Sequence, residues 1–286
     1  GLATPYLSEE WFRLVAACVD EAHRQKMEAW LYDEDRWPSG AAGGLVTKNP
    51  RYRMRRLVAT EHRDARGFSW GPQIVAAFRA VPRDAFTLRS YERLPRGRRP
   101  AIGWGERLLV FTAETERCST WYNGYTYLDT LNPAAVREFI RVTYQPYTRR
   151  FGRHLGKLVP GIFTDEPYQG GMMVRLHPGD RWRLPWTPRL PAVFRERYGS
   201  DLISRLPEVL YNLEGLEMTP VRWQFHDCVT HLFVDSFARQ IGAYCEKTGM
   251  ALTGHLLSED TLSSQSCMAG SCQRFYEHMQ APGMDL

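Results

Sequence analysis

Leu158-Val159-Pro160-Gly161-Ile162-Phe163-Thr164-Asp165-Glu166-Pro167-Tyr168 is the stretch on which the reading of the chain turns. Leu158–Thr164 is a short apolar run of the kind that forms a buried strand. It ends in two adjacent carboxylates, Asp165 and Glu166. Side chains alternate along a strand, so these two point to opposite sides. One can enter the mouth of a barrel while the other bonds backbone or an arginine. A carboxyl in a partly apolar, aromatic-lined mouth has its charged form disfavoured, which suits a general acid. The same pair also fits an ordinary acidic turn.

Upstream, Asn132-Pro133 opens a helix, a cap followed by proline in the first turn. Val136, Phe139, Ile140, Thr143 and Tyr147 share one face, and Pro146 predicts a kink or break. Near the start, Ser8 caps a helix with Glu9 and Glu10 in its first turn. Trp11, Leu14, Val15, Cys18 and Ala22 repeat along it at helical spacing. Ala29–Tyr32 then reads as a strand running into a long polar loop, Asp33-Glu34-Asp35-Arg36-Trp37-Pro38-Ser39-Gly40. Downstream, a loop with Trp182, Pro185, Trp186 and Pro188 leads through short helices to a long one, Val221–Lys247. Phe225, Cys228, Leu232 and Phe233 face inward there, and Gly249 ends it. Met250–Leu257 is a further strand, entering Ser258-Glu259-Asp260. A helix over Cys272–Met279 precedes what looks like the start of another strand at Pro282.

Strands alternating with helices imply a parallel sheet. The loops after the strands are long and hold the charged and aromatic residues, as on the active face of a barrel. The expectation is α/β: one (β/α)8 TIM-barrel catalytic domain over residues 1–286, incomplete because about four strands stand where a closed barrel has eight. Residues 52–130 break the alternation. Gln73–Phe78, Phe86–Tyr91 and Leu108–Thr112 are β-prone, with Gly and Pro between them. They read as an antiparallel insertion after an early strand, or as a small separate domain.

Two more strand ends carry chemistry. Tyr32 and Glu34 share one side and Asp33 takes the other, a placement that suits binding of sugar hydroxyls; Asp33 and Asp35 can equally pair Arg36 and cap the turn. Thr253, His255 and Glu259 are in phase on the third strand. His255 with Glu259 and Asp165 can bind a metal, activate water, or serve as ordinary hydrogen-bonding groups. Trp37, Trp121 and Tyr122 are aromatic surfaces for stacking a sugar or packing a loop.

Composition narrows the classes. Hydrophobic residues are 43% and charged residues 24%, as in a globular domain. The net charge of +5 is mild. Its densest run, Leu94–Pro100, lies among Pro and Gly with no nucleic-acid motif, so no nucleic-acid partner is expected. No apolar run is long enough to span a membrane, and none is expected to bind one. The 6 Cys contain no CxxC pair. Cys18, Cys228 and Cys245 fall in helices and read as reduced thiols, two of them buried. The compartment stays open, with a slight lean to the cytoplasm. The 8 His are scattered rather than clustered, so no metal ligand set is assigned.

The segments LYDEDRWPSGAAGG (31–44), GIFTDEPYQ (161–169), TGHLLSED (253–260) and PGMD (282–285) resemble bacterial glycoside hydrolase-like barrels related to the α-L-rhamnosidases of glycoside hydrolase family 106. The resemblance implies a TIM barrel inside a longer protein, with the remainder of the barrel and accessory β-domains outside this fragment. It implies an oligosaccharide or glycoside substrate. Glu166, in a motif similar to the Asn-Glu-Pro of many retaining glycosidases, would be the general acid. Glu259 and Glu34 are the candidates for the second catalytic carboxylate. Tyr32, Asp33, Trp37, Asp165, His255, Trp121 and Tyr122 would bind the sugar. No cofactor is expected, although the rhamnosidase-like relatives imply that calcium can help hold the sugar; the sequence has no calcium loop. The competing functions are a metal-dependent hydrolase and a non-catalytic carbohydrate-binding barrel.

Overall fold

The computed structural model describes residues 3–171, 181–216 and 218–285. The chain divides into two compact units. One comprises Gly1–Met54, Glu116–Gln169 and Thr230–Leu286; the other comprises Arg55–Thr115 and Gly170–Val229.

The first unit contains the parallel sheet. Its strands are β1 (Leu31–Tyr32), β6 (Gly161–Asp165), β9 (Ala251–His255) and β10 (Ala281–Pro282), adjacent in chain order. Each neighbouring pair is parallel: Leu31 lies beside Ile162, Asp165 beside His255, and Ala281 beside Thr253. Parallel neighbours need crossovers, and helices supply them. This sequential, helix-linked order is barrel-like, and the described residues supply half the strands of a closed (β/α)8 barrel. Gly254 permits the close β6–β9 approach: a Cβ there would sit 1.8 Å from the Thr164 carbonyl oxygen.

Local chemistry explains the helices. Ser8 Oγ accepts from the Trp11 N–H at 3.1 Å and starts α1 (Glu9–Gln25). The expected apolar face of α1 is not its buried face. Leu14 and Cys18 are exposed and Trp11, Val15 and Ala22 only half-buried, while Phe12 and Val19, which the spacing did not single out, are the buried residues. Trp11, Leu14, Val15 and Cys18 instead line, with Trp30, Leu31 and Tyr32, an open apolar groove of about 480 Å³. Asn132 caps α2 (Pro133–Phe139), which widens into a π turn at Ile140–Tyr144 before α3 (Gln145–Phe151). Pro146 therefore falls in the first turn of a new segment, where its missing N–H disrupts least. The helix α4 (Leu190–Tyr198) and the short α5 (Leu206–Leu210) precede the long helix, which is α6 (Pro220–Phe233), a π turn at Val234–Ala238, and α7 (Arg239–Thr248). Phe225, Cys228, Leu232 and Phe233 are buried as expected, and Gly249 closes it in the left-handed conformation. Then come α8 (Leu262–Met268) and α9 (Cys272–Tyr276). All six cysteines are free thiols; Cys228 and Cys245 are buried and Cys18 is not.

The second unit holds a six-stranded sheet. Its strands are β2 (Arg55–His62), β3 (Ile74–Pro82), β4 (Thr87–Arg93), β5 (Arg107–Thr115), β7 (Trp182–Trp186) and β8 (Asn212–Leu213), ordered β7-β2-β5-β3-β4-β8. All pairs are antiparallel except β4–β8. The β-prone stretch thus forms a sheet over Arg55–Thr115, while residues 116–130 belong to the first unit. Trp182–Trp186, expected to be loop, is an edge strand, the position where Pro185 is tolerated. No helix among the described residues is long and apolar enough to cross a membrane.

Candidate functional site

Four strand ends carry acids in the first unit, and those of β6, β9 and β10 come together. At β1, Asp33 is fully buried. Its Oδ1 accepts from Ser39 Oγ at 2.5 Å and its Oδ2 from the Tyr144 hydroxyl at 2.6 Å. Burial pushes its carboxyl up to about 7, against these hydrogen bonds. Glu34 is equally enclosed, 1% exposed. Its own loop wraps around it: the N–H groups of Asp35, Gly40, Ala42 and Gly43 all donate to its oxygens. Burial lifts its carboxyl to about 8 while those donors pull it down. Glu34, expected as a catalytic candidate, is placed as the anchor of the 35–43 loop, with its oxygens occupied.

That loop is stitched to β6. The Ser39 N–H donates to the Asp165 carbonyl at 2.7 Å, and the Asp165 N–H to Ser39 Oγ at 2.7 Å. The loop also carries Trp37, whose ring meets Trp121 edge-on at 5.9 Å. Trp121 Nε1 donates to the Trp37 carbonyl at 2.8 Å. Both rings are partly exposed, at 46% and 42%, so they form one aromatic surface. Tyr122 instead packs on the buried Ala41, Met54 and Tyr127.

At the ends of β6 and β9 the side chains form a connected row. The Tyr32 hydroxyl donates to Asp165 Oδ2 at 2.8 Å. Asp165 Oδ1 lies 3.3 Å from His255 Nε2, and His255 Nδ1 lies 3.6 Å from Glu259 Oε1. Glu259 accepts from the Tyr276 hydroxyl and, at 2.6 Å, from the Asp285 N–H. Glu166 bridges the strands through its N–H, which donates to the His255 carbonyl at 3.1 Å. It does so with φ +49°, a left-handed conformation that a non-glycine residue adopts at some cost. Burial raises the Glu166 carboxyl above the usual range. The negative charges of Asp165, Asp285 and Glu259 add to the rise, and His255 opposes it.

Of the residues expected to act, Glu166, Asp165, His255, Glu259 and Tyr32 are therefore brought together, and Trp37 and Trp121 pair nearby in the same unit. Asp33 and Glu34 lie beneath, inside the fold. Asp285 and Tyr276 were not assigned from sequence. The signal for Asp285 was available: like Asp33 and Asp165, it follows an apolar strand. Carboxylate oxygens of Glu166 and Asp285 and a ring nitrogen of His255 all lie within 4.8 Å of one another. Calcium takes six to eight oxygen ligands, and a cluster of two carboxylates and an imidazole does not fit it.

The buried Asp33 gives a pH prediction. Unfolded, an aspartate titrates near about 3.9; here it titrates at about 7. The folded chain then holds a proton that the unfolded chain releases. Asp33 contributes stability that is full below about pH 4 and lost as pH rises through 7. Asp33→Asn, which keeps one acceptor oxygen and places an amide donor where the protonated acid would carry its own, should remove up to about 1.4 kcal/mol per pH unit of that slope. Urea midpoints at pH 5 and pH 7 test this. A variant with the wild-type slope would contradict it.

This unit is a barrel-like α/β fold with carboxylates and an imidazole at its strand ends. No protein-family model and no curated protein matches the chain. Among solved structures it is similar to a rhamnosidase from Novosphingobium sp. PP1Y, with a TM-score of 0.57 and 11% identity over 96% of this chain and 43% of that one. That likeness is one of fold, and this chain spans less than half the length of the other.

Proposed function

We propose that the chain is the central part of a glycoside hydrolase, in which a longer protein completes the eight-stranded TIM barrel and adds accessory β-domains. The observation that carries this reading is Glu166. It is a half-buried carboxyl with a raised pKa at the end of a barrel-like strand, ringed by Asp165, His255, Asp285 and Glu259.

In this reading Glu166, whose protonated form burial and like charge favour, gives its proton to the glycosidic oxygen as the bond breaks. The sugar develops positive charge, which the surrounding carboxylates stabilise. Glu259, fixed by Tyr276 and the Asp285 N–H, is the proposed partner carboxylate; it either bonds the anomeric carbon, to be displaced later by water, or takes a proton from the water that attacks there. Trp37 and Trp121 stack the ring, while Tyr32, Asp165 and His255 meet its hydroxyls. Asp33 and Glu34 support this row from within. Tyr122 serves packing.

The fold of the rhamnosidase makes an α-L-rhamnoside the first substrate to try. The test is a screen of aryl glycosides with the complete protein. Turnover of one of them is expected, and turnover of none would end the proposal.

A further inference from the structure

We propose that Glu166, His255 and Asp285 form a binding site for one divalent transition-metal ion, with zinc as the probe, and that an ion bound there blocks the acid; this second clause rests on the glycosidase reading. The donor atoms of the three residues are mutually within 4.8 Å. They come from the ends of three adjacent strands, β6, β9 and β10, so the backbone presents them together.

The histidine decides the kind of ion. Metal-binding imidazoles keep one nitrogen on the metal and give the other to a carboxylate. Here Nε2 faces Asp165 Oδ1 at 3.3 Å, and Tyr32 in turn fixes that aspartate at 2.8 Å. Nδ1 is buried and has no hydrogen-bond partner. Its nearest acid, Glu259, stands at 3.6 Å, and the oxygens of that acid are already engaged by Tyr276 and the Asp285 N–H. A buried ring nitrogen that has lost water without gaining a partner is costly, and a cation among these carboxylates satisfies it. Imidazole with two carboxylates suits zinc and its neighbours, not calcium or magnesium.

The oxygens are free to close in. Ligands of a tetrahedral zinc site lie roughly 3.4 Å apart, given bonds of about 2.1 Å. The present spacing is at most 4.8 Å, a gap that rotation of the exposed Asp285 and half-buried Glu166 side chains can close. Gly283 N–H donates to the Gly254 carbonyl at 2.7 Å, which holds the Asp285 segment against β9 as this happens. Three protein ligands leave a fourth position to water. While bound, the ion occupies the lone pair of Glu166 that would otherwise carry the acid proton.

The test is calorimetric titration of the complete protein with zinc, together with the visible spectrum of the cobalt-loaded protein. One zinc per chain is expected, with a tetrahedral cobalt spectrum. His255→Ala and Asp285→Asn should each weaken binding at least tenfold. Asp285 is exposed, so its variant reports binding without disturbing the fold. Absence of saturable binding, or wild-type affinity in Asp285→Asn, would overturn the site. Zinc should also suppress turnover of an alkyl glycoside or disaccharide, which needs the acid proton most, reversibly by chelator. Stoichiometric binding without suppression would refute the blocking role alone. Absence of any glycosidase activity would refute the catalytic reading and leave the binding result standing.

Discussion

Glu166→Gln is expected to lower glycoside turnover by about two or more orders of magnitude while leaving the fold intact. Glutamine has the same shape and keeps the backbone N–H that bonds the His255 carbonyl. It loses only the acid proton. The effect should depend on the leaving group. A nitrophenolate departs with little protonation, so an aryl substrate should lose less than an alkyl glycoside or disaccharide. This gradient separates acid loss from misfolding, which would lower both alike. Rates within a few fold of wild type on both substrates would remove Glu166 from the mechanism. Sugar binding without turnover by the wild-type protein, unaltered in the variant, would favour the non-catalytic barrel.

The parts of this architecture that were legible in the sequence share one cause. Gly161–Asp165 is a mostly buried run that ends at acids, and Ala251–His255 alternates buried and half-buried residues before reaching Glu259. Such a pattern announces both a strand and which end carries the acids. The long helix was equally plain, because Phe225, Cys228 and Leu232 keep helical phase. What escaped the sequence was set by distant partners. Trp182–Trp186 reads as loop because of Pro185; it is a strand because β2 offers it an edge. The face of α1 reads as core, yet Leu14 and Cys18 border an open groove. Glu34 and Glu166 look alike as strand-end acids. They differ because the 35–43 loop turns its N–H groups inward onto Glu34, with Ala42 and Gly43 at positive φ. No periodicity reveals that a loop will close over one acid and leave another open.

Gly254→Ala should be among the most damaging single changes in the chain. The residue has φ +124°, and an added Cβ would lie 1.8 Å from the Thr164 carbonyl oxygen and 2.9 Å from its nitrogen. Both are backbone atoms of the neighbouring strand, so no side-chain rotation relieves the clash. The strands must separate where Thr164 faces Gly254 and Asp165 faces His255. A loss of about 4 kcal/mol or more is expected, set against a total stability of roughly 5–15 kcal/mol. Gly249→Ala is the control. It also has positive φ, +75°, but nothing lies within 4 Å of its Cβ position. It should cost only about 1 kcal/mol, the conformational part alone. Urea midpoints of the two variants separate the steric from the conformational contribution. If Gly254→Ala costs no more than Gly249→Ala, β6 and β9 are not in this register. Asp165 then does not face His255, and the row from Tyr32 to Glu259 that surrounds Glu166 loses its foundation.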